Sequence, residues 1–121
     1  KGAGINVSLF IDPDPKQIKM TRKLGADAFE MHTGDYADHL GNPATLAALV
    51  EGARIGAGEG LHVYAGHGLS VKNVGPVAAI PEVTELNIGH SIISRSIFVG
   101  LEEAVREMRR AMDAARPTAE I

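Results

Sequence analysis

Three segments of this chain join a short strand-like run to a glycine and a histidine, and this repetition constrains the fold more than any other feature. The segments are Glu30–Gly34, Ala65–Leu69 and Asn87–Ser91. Polar residues at the carboxyl ends of successive strands are typical of an active site on a parallel α/β sheet or barrel. The pattern therefore predicts an α/β protein whose chemistry lies at one rim of a sheet.

Strand and helix patterns alternate through the 121 residues. Period-two patterning predicts strands, and 3.6-residue patterning with capping signals predicts helices. Strands are predicted at 4–11, 28–32, 61–65 and 83–88, and helices at 15–24, 43–57, 70–79, 91–99 and 101–115. The polar stretch 33–41 is long for a link between a strand and a helix, which suggests an irregular lid or substrate loop.

Strands that alternate with helices imply a parallel sheet. A closed barrel of the TIM type, (β/α)8, takes about 250 residues, and this chain of 121 residues has about half of that. We therefore predict a single domain, residues 1–121, that forms about four units of such a barrel, with a small open sheet as the alternative.

Composition excludes several classes of protein. The net charge of −3 argues against nucleic acid as the main partner. The chain has no cysteine, which rules out disulfides and thiolate metal sites and favours a cytoplasmic location. No stretch is long and apolar enough to predict a membrane span. The chain starts with Lys1 and not with Met, so we expect it to begin inside a longer polypeptide.

Glycine and histidine follow the last two predicted strands, at Gly66–Gly68 and at Gly89–His90. Glycine allows the backbone to approach an anion closely, helix N-terminal amides point towards it, and histidine adds a hydrogen bond or a charge. This favours a phosphate site, although tight turns alone are the alternative. Glu30 and His32 share one face of the second strand. Glu30 suits a base or a charge stabiliser, unless it forms a structural salt bridge, and a structural role for His32 is equally compatible.

A metal site built from Glu30, His32, His67 and His90 is the alternative to a phosphate site with acid–base residues. Those residue types are suitable nitrogen and oxygen ligands. However, no two of them lie one turn apart on a helix, and no His-Glu-x-x-His pattern exists. We therefore predict no metal site.

The chain closely resembles the carboxyl-terminal half of the pyridoxine 5'-phosphate synthase family. The matching segments are Val7–Asp12, Glu30–Gly34 with Tyr36–Asp38, Ala65–Leu69 and Glu85–His90, and the similarity extends to about Ala115. The resemblance implies a (β/α)8 barrel that forms homo-octamers. It also implies the condensation of 1-deoxy-D-xylulose 5-phosphate with 3-amino-2-oxopropyl phosphate to pyridoxine 5'-phosphate, phosphate and water, without a metal or an organic cofactor.

The resemblance also implies roles for individual residues. His67 matches the family's proton-donating histidine, and Glu30 matches its transition-state-stabilising carboxylate. Gly68, Gly89 and His90 match positions that bind phosphate. The family's other catalytic histidine and its principal glutamate base lie in the amino-terminal half, so we expect this chain alone to be inactive and prone to associate. The alternatives are another phosphate-binding barrel enzyme and a non-catalytic module that binds phosphorylated metabolites.

Overall fold

The computed structural model describes residues 2–116 of the chain. Its strands are β1 (Ser8–Ile11), β2 (Ala28–His32), β3 (His62–Gly66) and β4 (Val83–Asn87). Its helices are α1 (Pro15–Lys23), α2 (Gly34–Asp38), α3 (Pro43–Gly58), α4 (Val74–Ala78), α5 (His90–Val99) and α6 (Leu101–Ala115). No helix among residues 2–116 has the length and apolar character needed to cross a membrane.

The strands form one parallel sheet in the order β1-β2-β3-β4. Leu9, Phe29, Val63 and Val83 lie side by side along one row of the register. Within residues 2–116, β1 and β4 each pair with a single strand, so the sheet is open at both edges and no barrel is closed. The predicted α/β class and the parallel sheet are confirmed.

The helices cover only one face of this sheet. The main apolar core contains Phe29, Met31, Val63 and Ala65 from the strands, with Ile18 of α1, Leu49 and Ala53 of α3 and Val77 of α4. The opposite face carries Phe10, Glu30 and Tyr64 in adjacent register positions. The Phe10 side chain is 54% exposed there. A doubly wound sheet has helices on both faces, whereas a barrel has them only outside, so the arrangement is that of a half barrel.

Capping residues define where the longer helices start. Asp14 accepts a hydrogen bond from the Lys16 amide (3.0 Å) at the start of α1, and Pro15 occupies the first turn. Asn42 does the same for the Ala44 amide (3.0 Å) at the start of α3. These are the N-cap interactions that satisfy first-turn amides.

Three strands differ from their predicted bounds, and β4 differs least, since it ends at Asn87, one residue earlier than predicted. β1 begins at Ser8 and not at residue 4, because the Asp27 carboxylate accepts a hydrogen bond from the Val7 amide (2.8 Å) just before the ladder begins. β3 runs one residue later than predicted and includes Gly66, whose carbonyl accepts a hydrogen bond from the Thr33 amide (2.9 Å). The changes at β1 and β3 follow from cross-strand hydrogen bonds, which local patterns do not reveal.

The prediction of an irregular loop at 33–41 is wrong. Residues Gly34–Asp38 form the short helix α2, and the buried Tyr36 hydroxyl donates to the Asn73 carbonyl (2.6 Å). The segment is thus anchored to the core side of the molecule and is not a free lid. Ser70 does not begin the next helix either, since α4 starts at Val74.

Candidate active site

All the residues predicted for the site lie at one cavity of about 490 Å³ at the carboxyl ends of β3 and β4. Its lining comprises Phe10, Glu30, His67, Gly68, Leu69, Asn87, Ile88, Gly89, His90 and Ser91. Parallel strands bring their carboxyl ends to the same edge of a sheet, which explains how residues so distant in sequence meet here. The two glycine–histidine segments and Glu30, which the sequence analysis placed at one rim, thus line one cavity.

The turn after β3 has an unusual backbone. His67 has φ of 89°, in the left-handed region that few non-glycine residues adopt, and Gly68 follows with φ of 77°. A Cβ at Gly68 would lie 2.9 Å from the Ala37 Cβ, so both the φ angle and the space require glycine there. The turn places the His67 side chain at the exposed mouth of the cavity.

Buried polar groups hold this turn in place. The Thr33 hydroxyl lies 2.8 Å from the Gly66 carbonyl oxygen and 2.5 Å from that of His67. The Asn73 amide group donates to the Gly68 carbonyl (3.1 Å). Asn73 is in turn held by Tyr36, whose hydroxyl donates to the Asn73 carbonyl. A strained backbone persists only where its surroundings fix it, and these contacts provide that support.

The same burial affects the ionisation of Tyr36. Desolvation raises the pKa of its hydroxyl above the ordinary value of 10.0, because the phenolate would lose its hydration inside the protein. The hydroxyl therefore remains a hydrogen-bond donor to Asn73 across the neutral pH range. The turn that carries His67 is thus supported by an uncharged network.

Glu30 points over the backbone of the neighbouring strand. Its Oε1 accepts a hydrogen bond from the Asn87 side-chain amide (2.7 Å). A Cβ at Gly66 would lie 2.4 Å from Glu30 Oε2 and 2.8 Å from the Asn87 carbonyl oxygen. Glycine at this place is therefore what allows the carboxylate to lie flat across β3 and face the cavity.

Gly89 and His90 stand at the start of α5. Gly89 is the N-cap residue and His90 is the first residue of the ten-residue helix. The Ser91 hydroxyl donates to the Leu69 carbonyl (2.6 Å), which joins this helix start to the turn after β3. First-turn amides have no partner inside their own helix and carry a partial positive charge. Both glycine–histidine segments thus border the same space.

Sequence reasoning missed two lining residues, Asn87 and Ser91. Asn87 lies in one of the three glycine–histidine segments but received no role of its own, although its position two residues before Gly89 was a usable signal. Ser91 carried no comparable signal, because its contact with Leu69 depends on how α5 packs. The Glu30 carboxylate accepts its hydrogen bond from the neutral Asn87 side chain and not from a lysine or arginine, as the salt-bridge alternative would require.

The other histidines are distributed around this site. The His32 ring stacks on that of His67, with ring centroids 4.4 Å apart. His39 and His62 are exposed and lie away from the cavity lining. Among residues 2–116, no three His, Asp or Glu side chains are grouped closely enough to hold a metal ion.

Comparison with known proteins identifies relatives of this chain. Residues 1–114 match the family model described as "Pyridoxal phosphate biosynthesis protein PdxJ". The chain is 52% identical to the pyridoxine 5'-phosphate synthase of Jannaschia sp. (strain CCS1), over 96% of this chain and 49% of that protein. It is 54% identical to that of Synechococcus sp. (strain JA-2-3B'a(2-13)), over 93% of this chain and 48% of the relative.

A further relative, the pyridoxine 5'-phosphate synthase of Neisseria meningitidis serogroup A, is 50% identical over 94% of this chain and 48% of its own length. The chain thus spans about half the length of the curated relatives that it matches. The match nevertheless extends over almost all of the chain, including the turn after β3 and the start of α5. The chain belongs to the PdxJ family of pyridoxal phosphate biosynthesis proteins.

Proposed function

We propose that this chain supplies the phosphate-binding and proton-donating half of a pyridoxine 5'-phosphate synthase active site. The reaction is the condensation of 1-deoxy-D-xylulose 5-phosphate with 3-amino-2-oxopropyl phosphate, which gives pyridoxine 5'-phosphate, phosphate and water. The observation that carries this proposal is the convergence of Glu30, His67, Gly68, Gly89 and His90 on one cavity. Family membership supports the choice of reaction.

The phosphate is held between the two glycine–histidine segments. Gly68 and Gly89 let an oxyanion approach the backbone closely, and the amides at the start of α5 point towards it. The His90 side chain lies at the same helix start and adds a hydrogen bond. The Ser91–Leu69 hydrogen bond fixes the distance between the two segments before the substrate arrives, so little ordering is needed on binding.

His67 and Glu30 act on the carbon skeleton next to this phosphate. Imine formation, loss of phosphate and ring closure each move protons, and an imidazole titrates in the pH range where it can deliver them. His67 is at the mouth of the cavity and serves as the proton donor. The Glu30 carboxylate, oriented by Asn87, stabilises the positive charge that develops on the substrate nitrogen as the imine forms.

The remaining part of the site belongs to the second half of the barrel. The site face of the sheet is open in this chain, and β1 and β4 are free edges among the described residues. We propose that four further strand–helix units close the barrel over this face and bring the glutamate base and the other histidine. The assembled protein is a cytoplasmic homo-octamer that binds phosphorylated small molecules and needs no metal or organic cofactor.

A reconstitution assay tests this function. The chain is mixed with the separately produced amino-terminal half of the Jannaschia relative, and pyridoxine 5'-phosphate and free phosphate are measured over time. We expect turnover from the mixture and none from either half alone. In the mixture, His67→Asn lowers turnover by about 10²- to 10⁴-fold, the usual contribution of a positioned acid.

The matched control is His62→Asn. His62 is an exposed histidine at the first position of β3, at the opposite end of that strand from the turn that carries His67. We expect this variant to retain wild-type turnover. Equal losses in the two variants would contradict the assigned role of His67. Full activity of the unmixed chain would contradict the proposal that the second half is required.

A further inference from the structure

His32, whose role the sequence leaves open, occupies a defined position beside the cavity. It is the last residue of β2 and is half-buried. Its ring lies between two other rings: the Phe10 centroid is 5.0 Å away and the His67 centroid 4.4 Å away, with the two imidazoles inclined by 33°. His32 thus contacts the proposed proton donor without lining the phosphate cavity itself.

A backbone hydrogen bond fixes the orientation of the His32 ring. Its Nδ1 accepts from the Gly34 amide at 3.0 Å. Accepting this bond requires an unprotonated Nδ1, so the ring that makes it carries its proton on Nε2. Thr33, the residue at the N-cap of α2, makes no side-chain cap hydrogen bond, and His32 therefore satisfies an amide of the first turn.

Gly34 makes room for both rings. A Cβ at this position would lie 2.4 Å from His32 Cε1 and 3.2 Å from His67 Cδ2. The ring pair therefore packs directly over the start of α2. His32 also lines a second cavity, of about 190 Å³, together with Asp35 and Tyr36.

We propose that His32 is a positioning residue for His67. Its ring, locked by the Gly34 amide, is a flat surface on which the His67 imidazole stacks, and this fixes the direction in which His67 presents its nitrogens to the cavity. An exposed imidazole without such a surface rotates among rotamers within nanoseconds, and misplacement of a catalytic group by about 1 Å can cost 10²-fold in rate. The proposal rests on the proton-donor role of His67 under the proposed function.

Two substitutions separate the ring surface from the helix cap. His32→Phe keeps a flat ring next to His67 but loses the acceptor for the Gly34 amide. His32→Asn keeps an acceptor but has no ring. In the reconstituted mixture, we expect kcat of His32→Asn to fall about ten- to hundredfold with KM nearly unchanged. We expect kcat of His32→Phe to fall clearly less, because the ring still stacks on His67 although the Gly34 amide no longer locks it.

The control variant is His39→Asn. His39 is the exposed C-cap residue of α2, and its Nδ1 lies 3.0 Å from the Asp35 carbonyl oxygen. We expect wild-type kcat from it. Wild-type kcat in His32→Asn would show that His32 only caps α2. Equal losses in His32→Phe and His32→Asn would show that the ring surface contributes nothing to kcat, which also overturns the proposal.

A second readout does not depend on turnover. Nitrogen-15 spectra of the chain alone should show the Nε2–H form of His32, and proton contacts between the two rings should be seen in the wild type. The contacts between residue 32 and His67 should persist in His32→Phe, with narrow His67 ring signals, and those signals should change in His32→Asn. If ring contacts are absent from the wild type, the positioning proposal fails. If they are present but the wild-type mixture makes no product, the proposed function fails instead.

Discussion

The turn that carries His67 depends on one buried hydroxyl, and removal of that hydroxyl is the sharpest test of the fold around the site. Thr33 is fully buried, and its Oγ1 lies 2.8 Å and 2.5 Å from the carbonyl oxygens of Gly66 and His67. Thr33→Val keeps the size of the side chain but removes this donor. The Gly66 carbonyl still accepts a hydrogen bond from the Thr33 amide (2.9 Å). The His67 carbonyl is therefore the acceptor that is most affected by loss of the hydroxyl donor.

The expected loss follows from that contact. A buried acceptor that loses its partner costs about 1–3 kcal/mol, so we expect the free energy of unfolding to fall by about 2 kcal/mol. With a urea dependence of about 2 kcal/mol/M, the unfolding midpoint falls by about 1 M. The left-handed backbone at His67 stores about 1–3 kcal/mol of strain, so exchange of the Ser70 amide, which donates to Asn73 Oδ1 (2.8 Å) in the same turn, should also accelerate.

Urea unfolding followed by circular dichroism measures the midpoint, and hydrogen exchange measures the turn. Thr33→Ser retains the hydroxyl and should leave exchange of the Ser70 amide unchanged, although loss of the methyl lowers stability. Thr84→Val is the matched control, because the Thr84 hydroxyl is exposed and its carbonyl partner is 3.4 Å away. A midpoint unchanged in Thr33→Val, or lowered equally in Thr84→Val, would refute the reasoning.

Two further predictions concern burial. Gly56→Ala places a Cβ 2.1 Å from Cε1 of the fully buried Phe29, so we expect the free energy of unfolding to fall by about 1–3 kcal/mol. The control Gly58→Ala has open space around the new Cβ and should be neutral. Equal urea midpoints in the two variants would contradict this. Burial raises the pKa of Tyr36 in the folded protein. The contribution of its neutral hydroxyl to the free energy of unfolding is therefore fully present below the pKa that Tyr36 has in the unfolded chain, and it is lost as pH rises through the pKa in the folded protein. Tyr36→Phe should flatten this alkaline decline in thermal unfolding curves and cost about 1–2 kcal/mol at neutral pH, because the Asn73 carbonyl loses its donor; an unchanged alkaline decline would contradict the assignment.

The sequence was most informative where a single short-range rule decides the outcome. β2 was predicted at its observed bounds, because alternation places Phe29 and Met31 in the core and Glu30 and His32 on the other face. The starts of α1 and α3 followed from capping residues next to proline. The convergence of the site followed from the rule that parallel strands end at a common edge.

Long-range contacts decided the features that were predicted wrongly or missed. The helix α2 forms where a polar loop was expected, because two hydrogen bonds stabilise it. The Gly34 amide donates to His32 Nδ1, and the Tyr36 hydroxyl donates to the Asn73 carbonyl. The left-handed backbone of His67 has no local signature either, since glycine was the expected residue for such a conformation. Its support comes from Thr33, more than thirty residues away in the chain.

The central claim is that the two glycine–histidine segments together bind a phosphate group. The most direct measurement is a titration of the chain with a simple phosphate ester, followed by amide proton–nitrogen correlation spectra. We predict saturable shifts at the amides of Gly68, Gly89 and His90, with little change at Gly60, which precedes β3 at the other end of the sheet. Absence of shifts at those three amides, or shifts centred on Gly60, would contradict the account.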